Sequence, residues 1–246
     1  MCIRDRAFTA LPHENVRAWF YRILPSVKHG RYRRIDAGLI RSTPFAEVDT
    51  PPDQLRWDPF ALPSKPTDFI QGMVTIAGNG DIGARTGNAI HLYLCNASMG
   101  DRAFYNADGD MLIVPQQGTL LITTEMGRIS IEPQEVAVIP RGIKFKVDLL
   151  NGPARGYICE NFGEHFQLPY RGPIGANGLA NTRDFLTPEA WFEDSARPHQ
   201  LLCKFDGKLW AVDLERSPFD VVGWHGNYAP YKYDLRRFNT INTVSW

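Results

Sequence analysis

The chain has 246 residues, 43% hydrophobic and 22% charged, an ordinary globular composition with room for one large domain or two small ones. Lysine plus arginine and aspartate plus glutamate balance at 27 each, so no net field exists to hold a polyanion and a nucleic-acid partner is not expected. No apolar stretch approaches the ~18 residues of a membrane span and the N-terminus lacks the apolar centre of a secretory signal, so the expectation is a cytoplasmic protein without a membrane partner.

In chain order, Met1 to Arg6 (MCIRDR) back-translates to a transposon-end adapter sequence, and fold reasoning therefore starts near Ala7. Residues 7–67 are expected to form an irregular arm. Its basic run Arg31, Arg33, Arg34 suits a solvated loop face. Between Thr43 and Thr67, Pro44, Pro51, Pro52, Pro59, Pro63 and Pro66 remove backbone donors and force extended geometry, which suits a segment wrapped on a surface. From Asp68 to the end, short apolar runs bounded by Gly, Asn and Asp predict a mainly β domain with a C-terminal extension and few short helices.

The clearest signal spans Asp108 to Leu150. Leu120/Ile122, Ile129/Ile131, Val136/Val138 and Ile143/Phe145/Val147 alternate with Thr, Arg, Glu and Lys, the period of half-buried antiparallel strands. Asp108-Gly109, Gln117-Gly118, Met126-Gly127 and Arg141-Gly142 supply the turns, with Pro115, Pro133 and Pro140 expected at strand margins. Strands this short and regular predict a β-sandwich or jelly roll. Further on, Thr187, Pro188 and Glu189 have the cap, first-turn and dipole chemistry of a helix about two turns long. A hairpin is expected around Asp206-Gly207, and NTINTVSW has a strand pattern that stops at Trp246.

The motifs that carry chemistry are sparse. Gly78, Gly80 and Gly83 spell a formal GxGxxG but lead straight into the strand AIHLYLC, without the helix a dinucleotide site requires, and Gly172, Gly175 and Gly178 lack a following Lys-Ser/Thr; both sets suit turns. Cys2, Cys95, Cys159 and Cys203 are widely spaced without a CxxC pair, which suits reduced thiols better than zinc or disulfides. His91 in a strand, and His165 after Glu160 and Glu164, could form a split His/Glu iron site or be satisfied core and surface histidines. Trp224-His225-Gly226-Asn227-Tyr228 suits a binding loop, an ordered packing loop or a subunit contact.

The strand block resembles the cupin family. Pro140-Arg141-Gly142 matches that family's second motif, but Phe145 stands where it carries a histidine and the first motif's HxH is missing, which implies a metal-free, cupin-like jelly roll. More widely, WFYRILPSV, DQLRWDPF, GNGDIG, FYNADGDMLIVPQQG, VIPRGIKF, GPIGANGLANTRDFL and VVGWHGNYAPYKYDL resemble the homogentisate 1,2-dioxygenase family from Ala7 to Trp246. That resemblance implies an oxidoreductase of tyrosine and phenylalanine catabolism, in which Fe(II) and O2 cleave homogentisate to maleylacetoacetate, and an assembly of trimers paired into hexamers. The family's ligands lie in a C-terminal domain that would begin after Trp246, and its usual stretch before AFT is absent. The expectation is an inactive N-terminal fragment with no catalytic, cofactor-binding or metal-binding residue of its own. The alternative is a complete metal-free cupin-like binding or structural module.

Overall fold

The computed structural model describes residues 15–47, 49, 51–168 and 180–238. Met1 to Arg6 with Cys2, the glycine loop 172–178 and the terminal strand pattern 239–246 lie outside the described residues. The first strands of the described residues are β1 (Ala18–Arg22) and β2 (Arg33–Ile35), two short strands within the stretch expected to be irregular. After the proline-rich segment come β3 (Met73–Asp81), β4 (Thr86–Cys95), β5 (Arg102–Asn106), β6 (Asp110–Gln117), β7 (Leu120–Thr124) and β8 (Gly127–Ile131). They are followed by β9 (Glu135–Ile139), β10 (Phe145–Leu149), β11 (Ala154–Asn161), β12 (Phe185–Leu186), β13 (His199–Phe205), β14 (Lys208–Leu214), β15 (Val221–Gly226) and β16 (Tyr231–Asp234). The helical content of the described residues is two 3₁₀ turns, Thr182–Asp184 and Leu235–Arg237.

Two seven-stranded sheets carry the domain, ordered β2-β14-β13-β5-β10-β7-β8 and β12-β16-β9-β6-β11-β4-β3. All neighbours run antiparallel except β13 and β5, which run parallel and so join through a long crossover. One apolar core is built from both sheets: Phe104, Leu120, Ile122, Phe145 and Leu202 from the first, Met73, Tyr93, Met111, Ile113 and Ile158 from the second. This is the expected mainly β, jelly-roll sandwich. Period-2 alternation puts Ala103 and Leu201 on the opposite face of the first sheet, where they meet Val212 and Phe219 in a smaller cluster. A separate ribbon pairs β1 with β15; its Ala18, Phe20 and Trp224 pack on the main core, and Trp19, Tyr21 and His225 face outward.

Three further expectations change. The helix at Thr187 does not form, because the Glu189 backbone bridges to Arg128 at the edge of β8 through reciprocal bonds of 2.8 and 2.7 Å, and the Arg128 guanidinium lies 3.7 Å over the Trp191 ring. Tertiary pairing has overridden a local cap signal. In β9 the core-facing residues are Ala137 and Ile139, in register with Ile113 and Met111, and not Val136 and Val138. Pro115 lies inside β6, opposite Gly156, at the point where the β6–β11 register breaks, so a bulge accommodates its missing donor.

Candidate functional site

At one end of the sandwich the inward positions turn from apolar to polar. Each polar residue is the next inward step along a strand whose previous step is core: Phe104 to Asn106 in β5, Ile158 to Glu160 in β11, Tyr93 to His91 in β4, Leu202 to Lys204 in β13. The parallel register sets Lys204 beside Asn106, and the antiparallel register sets His91 beside Ile158 and Thr75. The two sheets therefore deliver four polar side chains to one buried volume, with Glu160 only 1% and Lys204 2% exposed.

Glu160 is the hub. Its Oε1 accepts from Lys204 Nζ and from Asn106 Nδ2, both at 2.7 Å, and its Oε2 lies 2.9 Å from His91 Nε2. Burial alone would push the Glu160 carboxyl up, but the Lys204 charge, with His91 and Lys204 hydrogen bonds, outweighs it and holds the group at about 2. An ionised carboxylate only accepts, so the Nε2 proton of His91 faces it, and the Thr75 hydroxyl sits 2.8 Å from Nδ1. Lys204 also donates to Asp108 Oδ2 at 3.0 Å, and Asp108 in turn accepts from the Asp206 and Gly207 amides at 2.7 and 3.1 Å. The predicted Asp206-Gly207 hairpin turn thus forms, with φ of 50° and 67°, and is tied to the cluster.

A second anchor adjoins the first. Asp110 accepts from the Arg141 amide at 2.9 Å and the Phe166 amide at 3.1 Å, and faces His165 Nδ1 at 3.0 Å. The Tyr228 hydroxyl donates to Arg141 O at 2.7 Å, so the 140–142 turn, the chain after β11 and the 226–229 loop are held together. Phe145, where the cupin motif carries its ligand, is fully buried edge-on to Phe104 at 5.6 Å and to Phe69 at 6.3 Å.

The three histidines separate. His91 meets Glu160, as one half of the split site required, but His165 turns to Asp110, and the Glu164 backbone carbonyl accepts from the Asn161 side chain. His225 stacks on Trp19 and lies 3.4 Å from the Tyr21 hydroxyl on the outer ribbon. Among the described residues no three His, Cys, Asp or Glu gather to hold a metal. The iron implied by the resemblance does not fit the buried cluster, because Glu160 already accepts three donors and an ammonium fills the cation position. Nor are thiolates on offer: burial chiefly pushes the Cys95 thiol up to about 12 and the Cys203 thiol up to about 11. Sequence reasoning named Glu160 but missed Lys204, Asn106 and Asp108; the signal available was a charged or amide side chain on the apolar phase of LLCKF and AFYN.

A groove of about 470 Å³ lies elsewhere, between the 22–30 and 213–220 segments. Its Arg22 is bonded to Glu125 and Asp220, and its Lys144 to Glu125, so its most buried charges are internally matched.

A family profile described as homogentisate 1,2-dioxygenase N-terminal matches residues 3–235. Similar solved structures include a cupin-2 domain protein of Shewanella frigidimarina, 22% identical over 36% of this chain and 78% of that one, with a TM-score of 0.30. A cupin superfamily protein of Desulfitobacterium hafniense is 16% identical over 37% of this chain and 75% of that one, at 0.30. The 7S globulin of Momordica charantia is 18% identical over 37% and 29%, at 0.27.

Proposed function

The chain belongs to the homogentisate 1,2-dioxygenase N-terminal family, and we propose that it serves the ring-cleaving enzyme of that name as its amino-terminal β domain. In this reading the whole enzyme is a cytoplasmic oxidoreductase of tyrosine and phenylalanine catabolism that uses Fe(II) and O2 to turn homogentisate into maleylacetoacetate. This chain supplies scaffold, and iron is held by residues outside it. The observation that carries the reading is the family match across residues 3–235, joined to a sandwich interior whose donor atoms are already committed to one another. The purified 246-residue chain, supplied with Fe(II), is expected to show no homogentisate-dependent oxygen uptake in an oxygen-electrode assay. Saturable, iron-dependent uptake would overturn the proposal.

We also propose that the chain assembles with copies of itself. Support comes from the outer face of the β1–β15 ribbon, where Trp19 and Tyr21 are each 59% exposed, and from Leu55 and Trp57, exposed on the proline-rich arm. Light scattering on the full chain is expected to give a mass above that of one copy, falling when Trp19 and Tyr21 are both changed to serine. A monomer at all concentrations would overturn the assembly, and an unchanged oligomer in the double variant would remove this ribbon from the interface.

A further inference from the structure

The Lys204 ammonium is a full charge at 2% exposure, one inward step beyond the core residue Leu202 on β13. Its surroundings match the shape of a primary ammonium. Two of its three protons have carboxylate acceptors, Glu160 Oε1 at 2.7 Å and Asp108 Oδ2 at 3.0 Å, and the Phe162 ring face lies 5.2 Å away. A divalent metal wants converging lone pairs and gains little from a phenyl face. Here Glu160 Oε1 is shared with the Asn106 amide and Oε2 is taken by His91. The acceptors that remain are fixed from the backbone, since Asp108 also holds the Asp206 and Gly207 amides.

We infer that this end of the sandwich is a built site for a primary ammonium cation, and that Lys204 is its tethered occupant. The chain keeps two buried carboxylates, Glu160 on β11 and Asp108 in the β5–β6 connection, by carrying their counter-ion on β13. The inference concerns only groups within this chain and stands whether or not the dioxygenase reading holds.

Lys204→Ala removes the propylammonium end of the side chain and leaves its pocket. The full-length variant is expected to melt roughly 10 °C below the parent. n-Propylammonium chloride should return stability in a saturable way, by roughly 4 °C at tenfold its dissociation constant. The parent should show no such rise, and neither sodium chloride nor tetramethylammonium chloride should replace the amine in the variant. Absence of rescue, or equal rescue by either control salt, overturns the inference. Should the variant prove insoluble, the unaltered chain still decides the matter through reductive methylation read by peptide mass spectrometry. Lys204 should react on the order of a hundredfold more slowly than Lys208, whose side chain is 42% exposed. Equal rates at the two lysines would mean that no caged ammonium exists.

Discussion

Replacing Glu160 by alanine is expected to lower the unfolding free energy by about 3–5 kcal/mol, the range for breaking a buried ion pair by deleting one partner. The carboxylate accepts from three donors drawn from three other strands: His91 on β4, Asn106 on β5 and Lys204 on β13. Its loss leaves the Lys204 ammonium against Asp108 alone and strands an imidazole N–H and an amide in a buried volume. Each stranded donor costs about 1–3 kcal/mol before relaxation, so the ion-pair range is not an overestimate. Urea denaturation should show the midpoint falling at constant slope. A change below about 1 kcal/mol would mean that water replaces the carboxylate and that the cluster is wetter than its burial implies.

The same group sets an acid limb. Burial, the largest influence on it, raises the Glu160 carboxyl, yet Lys204 and the hydrogen bonds prevail and hold it at about 2, against an ordinary value of 4.5. The folded value lies below the unfolded one. The contribution is therefore complete above about 4.5 and is lost as the pH falls toward about 2. At neutral pH it is worth on the order of 3 kcal/mol. Glu160→Gln cannot titrate, so stability should fall less steeply in that window than in the parent. Identical acid limbs would assign the loss to other carboxylates.

Much of the sandwich is legible in the sequence because alternation is a local property. Leu120/Ile122, Ile129/Ile131 and Phe145/Val147 face the core as their spacing predicts. The phase fails in β9, where Glu-Val-Ala-Val-Ile is apolar at both parities; choosing the larger residues selects Val136 and Val138, while the core has room for Ala137 opposite Ile113. The helix at Thr187 fails for another reason, since Arg128 offers a backbone partner 61 positions earlier that no local rule contains. The cluster is harder still. Glu160 meets Lys204, Asn106 and His91 at separations of 44, 54 and 69 residues, and the parallel β13–β5 register that aligns Lys204 with Asn106 follows from a crossover. Period-2 reasoning can show that a charge occupies an inward position. It cannot show which charge answers it.

Phe145 stands at the position where the cupin motif, which this strand block resembles, carries a histidine. Phe145→Ala should cost about 3–5 kcal/mol, because the ring is fully buried and packs edge-on against both Phe69 and Phe104. Phe145→His restores the residue type of the cupin motif without restoring its setting. The imidazole would replace two edge-to-face contacts, worth about 1 kcal/mol each, and enter a volume where Phe69 and Phe104 offer no acceptor, adding about 1–3 kcal/mol for an unpaired polar group. A loss on the order of 3 kcal/mol is therefore expected, with no metal uptake, since a lone histidine has neither co-ligands nor a polar second layer to orient it. Cobalt(II) titration followed in the visible spectrum separates the possibilities. The parent and Phe145→His should both remain without a ligand-field band. A saturable band in the variant alone would mean that a single side chain keeps this sandwich from holding a metal, and that the Glu160–His91 pair is less firmly committed to Lys204 and Thr75 than its hydrogen bonds indicate.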